Sequence, residues 1–298
     1  MTDRETRTGL LHALGAYLIW GLLPLYFKLL GDVSPLHVLS HRILWSLLFL
    51  LLIVAVLRRF GTIRAAARGR VLLILCASAV LISVNWLVNI WAVANARVLE
   101  ASIGYFMNPL VNVALGVLVL RERIRPVQAM AVGLAAAGVL ALALGGGALW
   151  ISLTLAVSFG LYGLLRKVVA IDALGGLLVE TLMLAPVAAG VLAFSAATGG
   201  QAWGGSMRLD ALLAFSGVVT AIPLLLFASA ARRLRYTTLG LLQYIAPAMA
   251  FAQAVFLFGE PLRPVYLVTL ALICAGCALY AWDSVRAARA SGGGKAVA

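Results

Sequence analysis

Two charged residues, Arg42 and Glu180, stand inside long apolar runs of this chain, and Glu180 is the only one of its ten carboxylates that falls well within such a run. A charge in that setting is retained where it faces a partner or a wet cavity. The Arg42 guanidinium could bind an anionic group or reach lipid phosphate, and the Glu180 carboxyl could carry a proton. Uncharged polar residues form stripes in the same runs. Tyr105, Asn108 and Asn112 stand at i, i+3 and i+7, one helical face, with Pro109 among them. Asn85 and Asn89 share a face beside Trp86, and Gln243, Tyr244 and Gln253 accompany Pro247. Tyr17, Trp20 and Pro24 repeat the i, i+3, i+7 spacing, and Ser158 and Tyr162 are one turn apart. The chemistry on offer is recognition of a small molecule rather than bond making. Interhelical hydrogen bonding, at under about 1 kcal/mol per contact, is the alternative for the amides, and interfacial anchoring for the aromatics. Pro109 and Pro247 each free a backbone carbonyl one turn earlier, which makes them candidate hinges or helix breaks at the site.

The elements that must position these residues follow from composition. Hydrophobic residues make up 64% of the chain and charged ones 11%, far from a water-soluble average. Apolar runs of about 20 residues match a hydrocarbon core of about 30 Å, and no ten-residue alternation of barrel strands is present. Ten helical spans are expected, at about 10–30, 34–57, 71–95, 99–120, 127–144, 149–165, 173–197, 211–231, 237–258 and 265–282. A basic, glycine-rich tail from about residue 284 is expected to be disordered. The fifth and tenth spans carry Gly133/Ala137 and Ala271/Ala275 four apart, faces suited to close packing or to lipid.

Net charge is +13, but it lies in short loops between apolar runs, which argues against a nucleic-acid partner and for a lipid bilayer. With the N-terminus cytoplasmic, 18 of the 23 Lys and Arg fall in inner loops, the bias of the positive-inside rule. Cys274 and Cys277 are one turn apart with no His or carboxylate near them in sequence, and His12, His37 and His41 form no ligand set, so no metal or other cofactor is expected. No HisGluxxHis or GlyxSerxGly motif and no paired intramembrane carboxylates are present, so an enzyme is not expected.

The chain also repeats itself. Arg97, Pro109, Glu122 and Pro126 recur as Arg235, Pro247, Glu260 and Pro264, each at the interval 235 − 97 = 138, and Arg42 and Glu180 are related by the same interval. The triplet Gly145, Gly146 and Gly147 divides a first repeat, 1–147, from a second, 148–298. Five spans per repeat is an odd number, so the second unit enters the membrane inverted, a layout that supplies alternating access. Glu122 and Glu260, each closing a span beside a basic residue, are expected to be structural latches.

At its motifs the chain resembles the RarD branch of the EamA-type drug/metabolite transporters: SHRILWS at 40–46, ASIGYFMNPLVN at 101–112, YGLLRK at 162–167, GLLQYIAP at 240–247 and FGEPL at 258–262. The resemblance runs from Gly15 to Trp282. It implies an all-α bacterial inner-membrane protein of ten transmembrane helices in two EamA repeats, a branch named for a chloramphenicol-sensitivity phenotype. A permease or exporter of a small metabolite or drug-like compound is the expected function, with a non-transporting sensor or scaffold subunit as the alternative. The topology makes a direct prediction: cysteines introduced at 121 and 263 react with membrane-impermeant reagent from opposite sides of the membrane, and labelling from one side would end the inverted-repeat reading.

Overall fold

A computed structural model describes residues 3–31, 33–119, 121, 125–200, 203, 205–231, 233–234, 238 and 242–293. The repeat anchors Arg235 and Glu122 lie outside them. The described residues are helical, with no strand among them. The helices are α1 (Asp3–Gly21), α2 (Leu23–Leu29), α3 (Pro35–Val56), α4 (Phe60–Ala66), α5 (Arg70–Ala94), α6 (Val98–Leu118) and α7 (Pro126–Leu144). They continue as α8 (Leu149–Val168), α9 (Ala173–Ala197), α10 (Met207–Ala231), α11 (Ile245–Ala252), a π-helical turn (Gln253–Leu257) and α12 (Pro264–Gly293).

Hydrocarbon leaves the backbone no hydrogen-bond partner but itself, which is why apolar runs of this length close into helices. Pro35, Pro126 and Pro264 open α3, α7 and α12, where a missing N–H costs nothing. Gly31, Gly146 and Gly259 take positive φ just past α2, α7 and the π turn, a conformation that a side chain resists. Nine candidate spans are long and apolar enough to cross a membrane among the described residues; the ninth expected run survives in them as the shorter apolar helix Ile245–Leu257. The helix α12 continues to Gly293, past residue 284 where composition predicts disorder. Its last turns are alanine-rich, and alanine has the highest helix propensity.

The two parts of the chain interleave. Helix α1 packs on α10 and α11, while α8 packs on α5 and α6; α3 lies against α9 and α10, α7 against α12, and α6 against α11. Small residues allow the closest approaches. A Cβ on Gly104 of α6 would stand 2.7 Å from the Ser152 carbonyl oxygen of α8, one on Gly276 would stand 2.6 Å from that of Ala131, and one on Gly138 would stand 3.1 Å from that of Thr269. The α7/α12 contact thus uses Gly138 and Gly276. Gly133, Ala137, Ala271 and Ala275 are exposed instead, the lipid-facing alternative.

These approaches predict opposite signs for two glycine substitutions. Gly104→Val forces backbone against backbone and lowers stability by about 1–3 kcal/mol. Gly190→Ala, with nothing within 4 Å of the added carbon, raises it by up to about 1 kcal/mol through helix propensity. Thermal unfolding in detergent reads both.

Candidate functional site

The first expected span is broken. Pro24 has no N–H, α1 stops at Gly21 and α2 begins at Leu23. The groups that a continuous helix would pair, the Gly21 carbonyl and the Leu25 N–H, are met by one side chain from the other part of the chain. Gln253 Nε2 donates to Gly21 O at 2.6 Å and its Oε1 accepts from Leu25 N at 3.2 Å. Gln253 is buried and opens the π turn, the wide-turn geometry common at functional sites. Close approach here depends on Gly21, where a Cβ would stand 2.6 Å from Met249 Sδ.

The two prolines chosen from sequence behave differently. Pro247 sits in the first turn of α11, directly after a turn at Gln243 and Tyr244, and its carbonyl accepts from Ser102 Oγ at 2.7 Å. The chain is interrupted there. Pro109 lies within an unbroken α6, so the expectation of a break at that position is corrected.

Around Arg42 the polar stripes converge. The guanidinium is buried, with 4% of its surface accessible. Nε donates to Thr220 Oγ1 at 2.7 Å, and the group lies 4.3 Å from the Trp86 ring centroid and 5.7 Å from that of Phe27. A snorkelling arginine holds its head at the membrane surface; this one is covered by aromatic rings. Beside it, Asn85 Nδ2 donates to Leu155 O and Ser158 Oγ, both at 3.0 Å, and Asn85 Oδ1 accepts from the Tyr105 hydroxyl at 3.0 Å. This joins α5, α6 and α8. Asn89 adjoins the Tyr105 hydroxyl. Asn108 is buried, and its amide oxygen has no partner among the described residues. Asn112, at the end of the same stripe, is exposed.

Glu180 forms a second cluster. Its carboxylate is buried and accepts from Ser78 Oγ at 2.5 Å and from the Tyr162 hydroxyl at 3.4 Å, with Arg166 Nη1 3.6 Å away. Arg166 lies over Gly176, where any Cβ would overlap the guanidinium. The expected span 149–165 leaves Arg166 just outside it; in the structure it stands in the last turn of α8 and its long side chain reaches Glu180.

Glu180 is not the only buried carboxylate. Glu100 and Glu260 are also buried, each at a helix terminus where sequence position alone suggests exposure. Glu260 accepts from the backbone N–H groups of Val98 and Leu99 at 2.8 and 2.9 Å, capping α6, whose positive dipole end favours an anion. Burial holds its carboxyl above the usual range, opposed by those two donors. Glu100 accepts from Arg97 and from the Tyr266 hydroxyl, both at 2.9 Å, and the hydrogen bond to Glu100 raises the Arg97 pKa further above its ordinary value. Glu260 is therefore the latch foreseen at this end, while Glu122 falls outside the described residues.

The remaining candidates separate from these clusters. Tyr17 and Trp20 pack edge to face at 5.6 Å and both meet Phe227, at 6.1 and 5.6 Å, forming an aromatic seam between α1 and α10. Tyr244 stacks on Phe106 at 5.9 Å, and Gln243 is half-buried in the preceding turn.

Long apolar helices enclosing hydrogen-bonded amides, hydroxyls and two opposite charges make up a multi-pass membrane protein with a polar interior. Comparison with known proteins narrows the class. Residues 7–144 match the model of the EamA-like transporter family. Protein RarD of Salmonella typhi is 45% identical over 96% of this chain and 98% of its own length. An uncharacterized transporter of Vibrio cholerae is 40% identical over 97% of both chains. A chain of known crystal structure, 18% identical, superposes with TM-score 0.59 over 92% of this chain and 97% of its own, a likeness of fold alone. The chain belongs to the RarD branch of the EamA-like transporter superfamily, and is a membrane transporter of the drug/metabolite class.

The Gln253 bridge yields a prediction. Gln253→Leu leaves a buried donor and acceptor of the α1–α2 break unpaired and lowers stability by on the order of 1–3 kcal/mol. Thermal unfolding in detergent, compared with the unaltered protein, checks it.

Proposed function

We propose that this protein is a carrier that moves a small metabolite or drug-like compound across the bacterial inner membrane by alternating access. In this reading two inverted five-span repeats, 1–147 and 148–298, hold the substrate between them, and both termini are cytoplasmic. The observation that carries it is the reciprocity of helix packing. Numbering the expected spans one to ten, the first lies on the eighth and ninth while the sixth lies on the third and fourth; the second pairs with the seventh and the fifth with the tenth. Adding five to each span exchanges the members of this set. Such an arrangement supports a pair of conformations related by swapping the roles of the two repeats. The extent of the family match, 7–144, agrees with one repeat unit.

The substrate face in this reading comprises Asn85, Trp86, Asn89, Tyr105, Asn108 and Asn112 from the first repeat, with Tyr162, Gln243 and Tyr244 from the second. The orphan amide oxygen of Asn108 supports it, because a buried acceptor without a donor is a place for a ligand or water to complete. Tyr17 and Trp20 line the same interior as part of a closing seam, and Pro247 with the Pro24 break supplies the hinges. Arg42 and Glu180 lie seven residues inside their helices, about 10 Å in at 1.5 Å per residue, from opposite faces of the membrane.

Counterflow in proteoliposomes tests the proposal. Vesicles preloaded with an unlabelled compound from a panel of amino acids, nucleosides and amphenicols accumulate its labelled form transiently above equilibrium, and uptake saturates. Flux across the whole panel that is linear in concentration and indifferent to preloading would reject a carrier.

A further inference from the structure

The Arg42 guanidinium is charged, deep and surrounded by the wrong groups for a structural ion pair. The four ion pairs among the described residues engage Arg59, Arg97, Arg125 and Arg166 with Asp172, Glu100, Asp283 and Glu180; none includes Arg42. Its hydrogen bond uses Nε, and its Cζ lies over the Trp86 and Phe27 rings. Its in-plane Nη edge meets no carboxylate among the described residues. A guanidinium presents that edge as a fork matched to the two oxygens of a carboxylate. A charge kept in the hydrocarbon zone without a counter-ion costs several kcal/mol, and cation–π contacts return only about 2 kcal/mol.

The neighbours specify the rest of the ligand. Trp86 and Phe27 wall the guanidinium, the phenols of Tyr26 and Tyr105 are the titratable groups that bear on it, and the Asn85 and Thr220 side chains are already engaged with Leu155, Ser158, Ser216 and Arg42 itself. A hydrophilic anion would gain little from such walls. We infer that Arg42 is the anchor for the carboxylate of an amphipathic substrate whose apolar body lies among Phe27, Trp86 and the two tyrosines, so that the transported class is small organic acids with one carboxylate. Glu180, at the position of the other repeat that corresponds to Arg42, has its own cation in Arg166, which leaves Arg42 as the unneutralised member of the pair. This rests on the carrier reading given above.

Binding measured on purified protein separates the two. Acetate, hexanoate and phenylacetate are titrated against acetamide, hexanamide and phenylacetamide, with tryptophan fluorescence and apparent melting temperature as readouts, since a ligand selective for the folded state raises the latter. Hexanoate and phenylacetate produce a saturable signal, acetate binds more weakly, and the amides give none. Arg42→Gln abolishes the carboxylate signal; Arg42→Lys, which keeps the charge and loses the fork, weakens it about tenfold and serves where the glutamine variant does not fold. Thr220→Ala, which frees Nε, retains preference for acid over amide. Equal response to acids and amides, or undiminished acid binding by both Arg42 variants, overturns the assignment. So does Arg42-dependent stabilisation by phosphatidylglycerol nanodiscs, relative to phosphatidylcholine ones, without response to any of the three acids. Counterflow of a neutral substrate together with such an outcome would sink the anion anchor and leave the carrier standing.

Discussion

Hydrocarbon offers no hydrogen bonds, so wherever a spanning helix breaks, another part of the protein must meet the groups set free. In this chain the repair crosses from one part to the other. Gln253 fills the gap between α1 and α2, Ser102 on α6 covers the Pro247 carbonyl, and the Glu260 carboxylate caps the first turn of α6. A partner for residues 1–147 is in each case a residue beyond 148, or the reverse. Neither part is self-sufficient in lipid, and the interleaved packing follows from that dependence as much as from shape.

Charge obeys the same constraint with larger stakes. Glu180 is surrounded by Ser78, Tyr162 and Arg166, enough donors to hold an anion away from water. Arg42 is surrounded by rings and one hydroxyl. In the two-repeat reading these are corresponding positions, and they carry opposite charges with unequal compensation.

Much of this was legible in the sequence because lipid makes composition decisive. Apolar run lengths located the helices, nine of which are long and apolar enough to cross a membrane among the described residues. Tyr105 on α6 and the pair Asn85, Trp86 on α5 do converge near Arg42, since helical periodicity fixes which residues share a face. What the sequence concealed is tertiary. Proline marks a place where a helix can break, but its surroundings decide whether it does: α6 runs unbroken through Pro109, while the first span breaks beside Pro24. Burial of Glu100 and Glu260 depends on Tyr266 and on the α6 terminus, far away along the chain. Arg166 falls just outside its expected span, and spacing does not show the direction a long side chain takes.

The contacts that join the two parts are also of a kind that can be exchanged. Interhelical hydrogen bonds in membranes average under about 1 kcal/mol, because a separated group finds other partners, and the aromatic seam of Tyr17, Trp20 and Phe227 adds about 0.5–1.5 kcal/mol per ring pair. Several such contacts in parallel make one conformation firm, yet each is weak enough to be broken singly. The glycine contacts behave otherwise: at Gly104 and Gly276 backbone lies against backbone, and no side chain can swing to release it. In the alternating-access reading proposed above, motion would fall to the hydrogen-bonded and aromatic seams, with α6/α8 and α7/α12 as fixed pairs and the broken first and ninth spans bending between them.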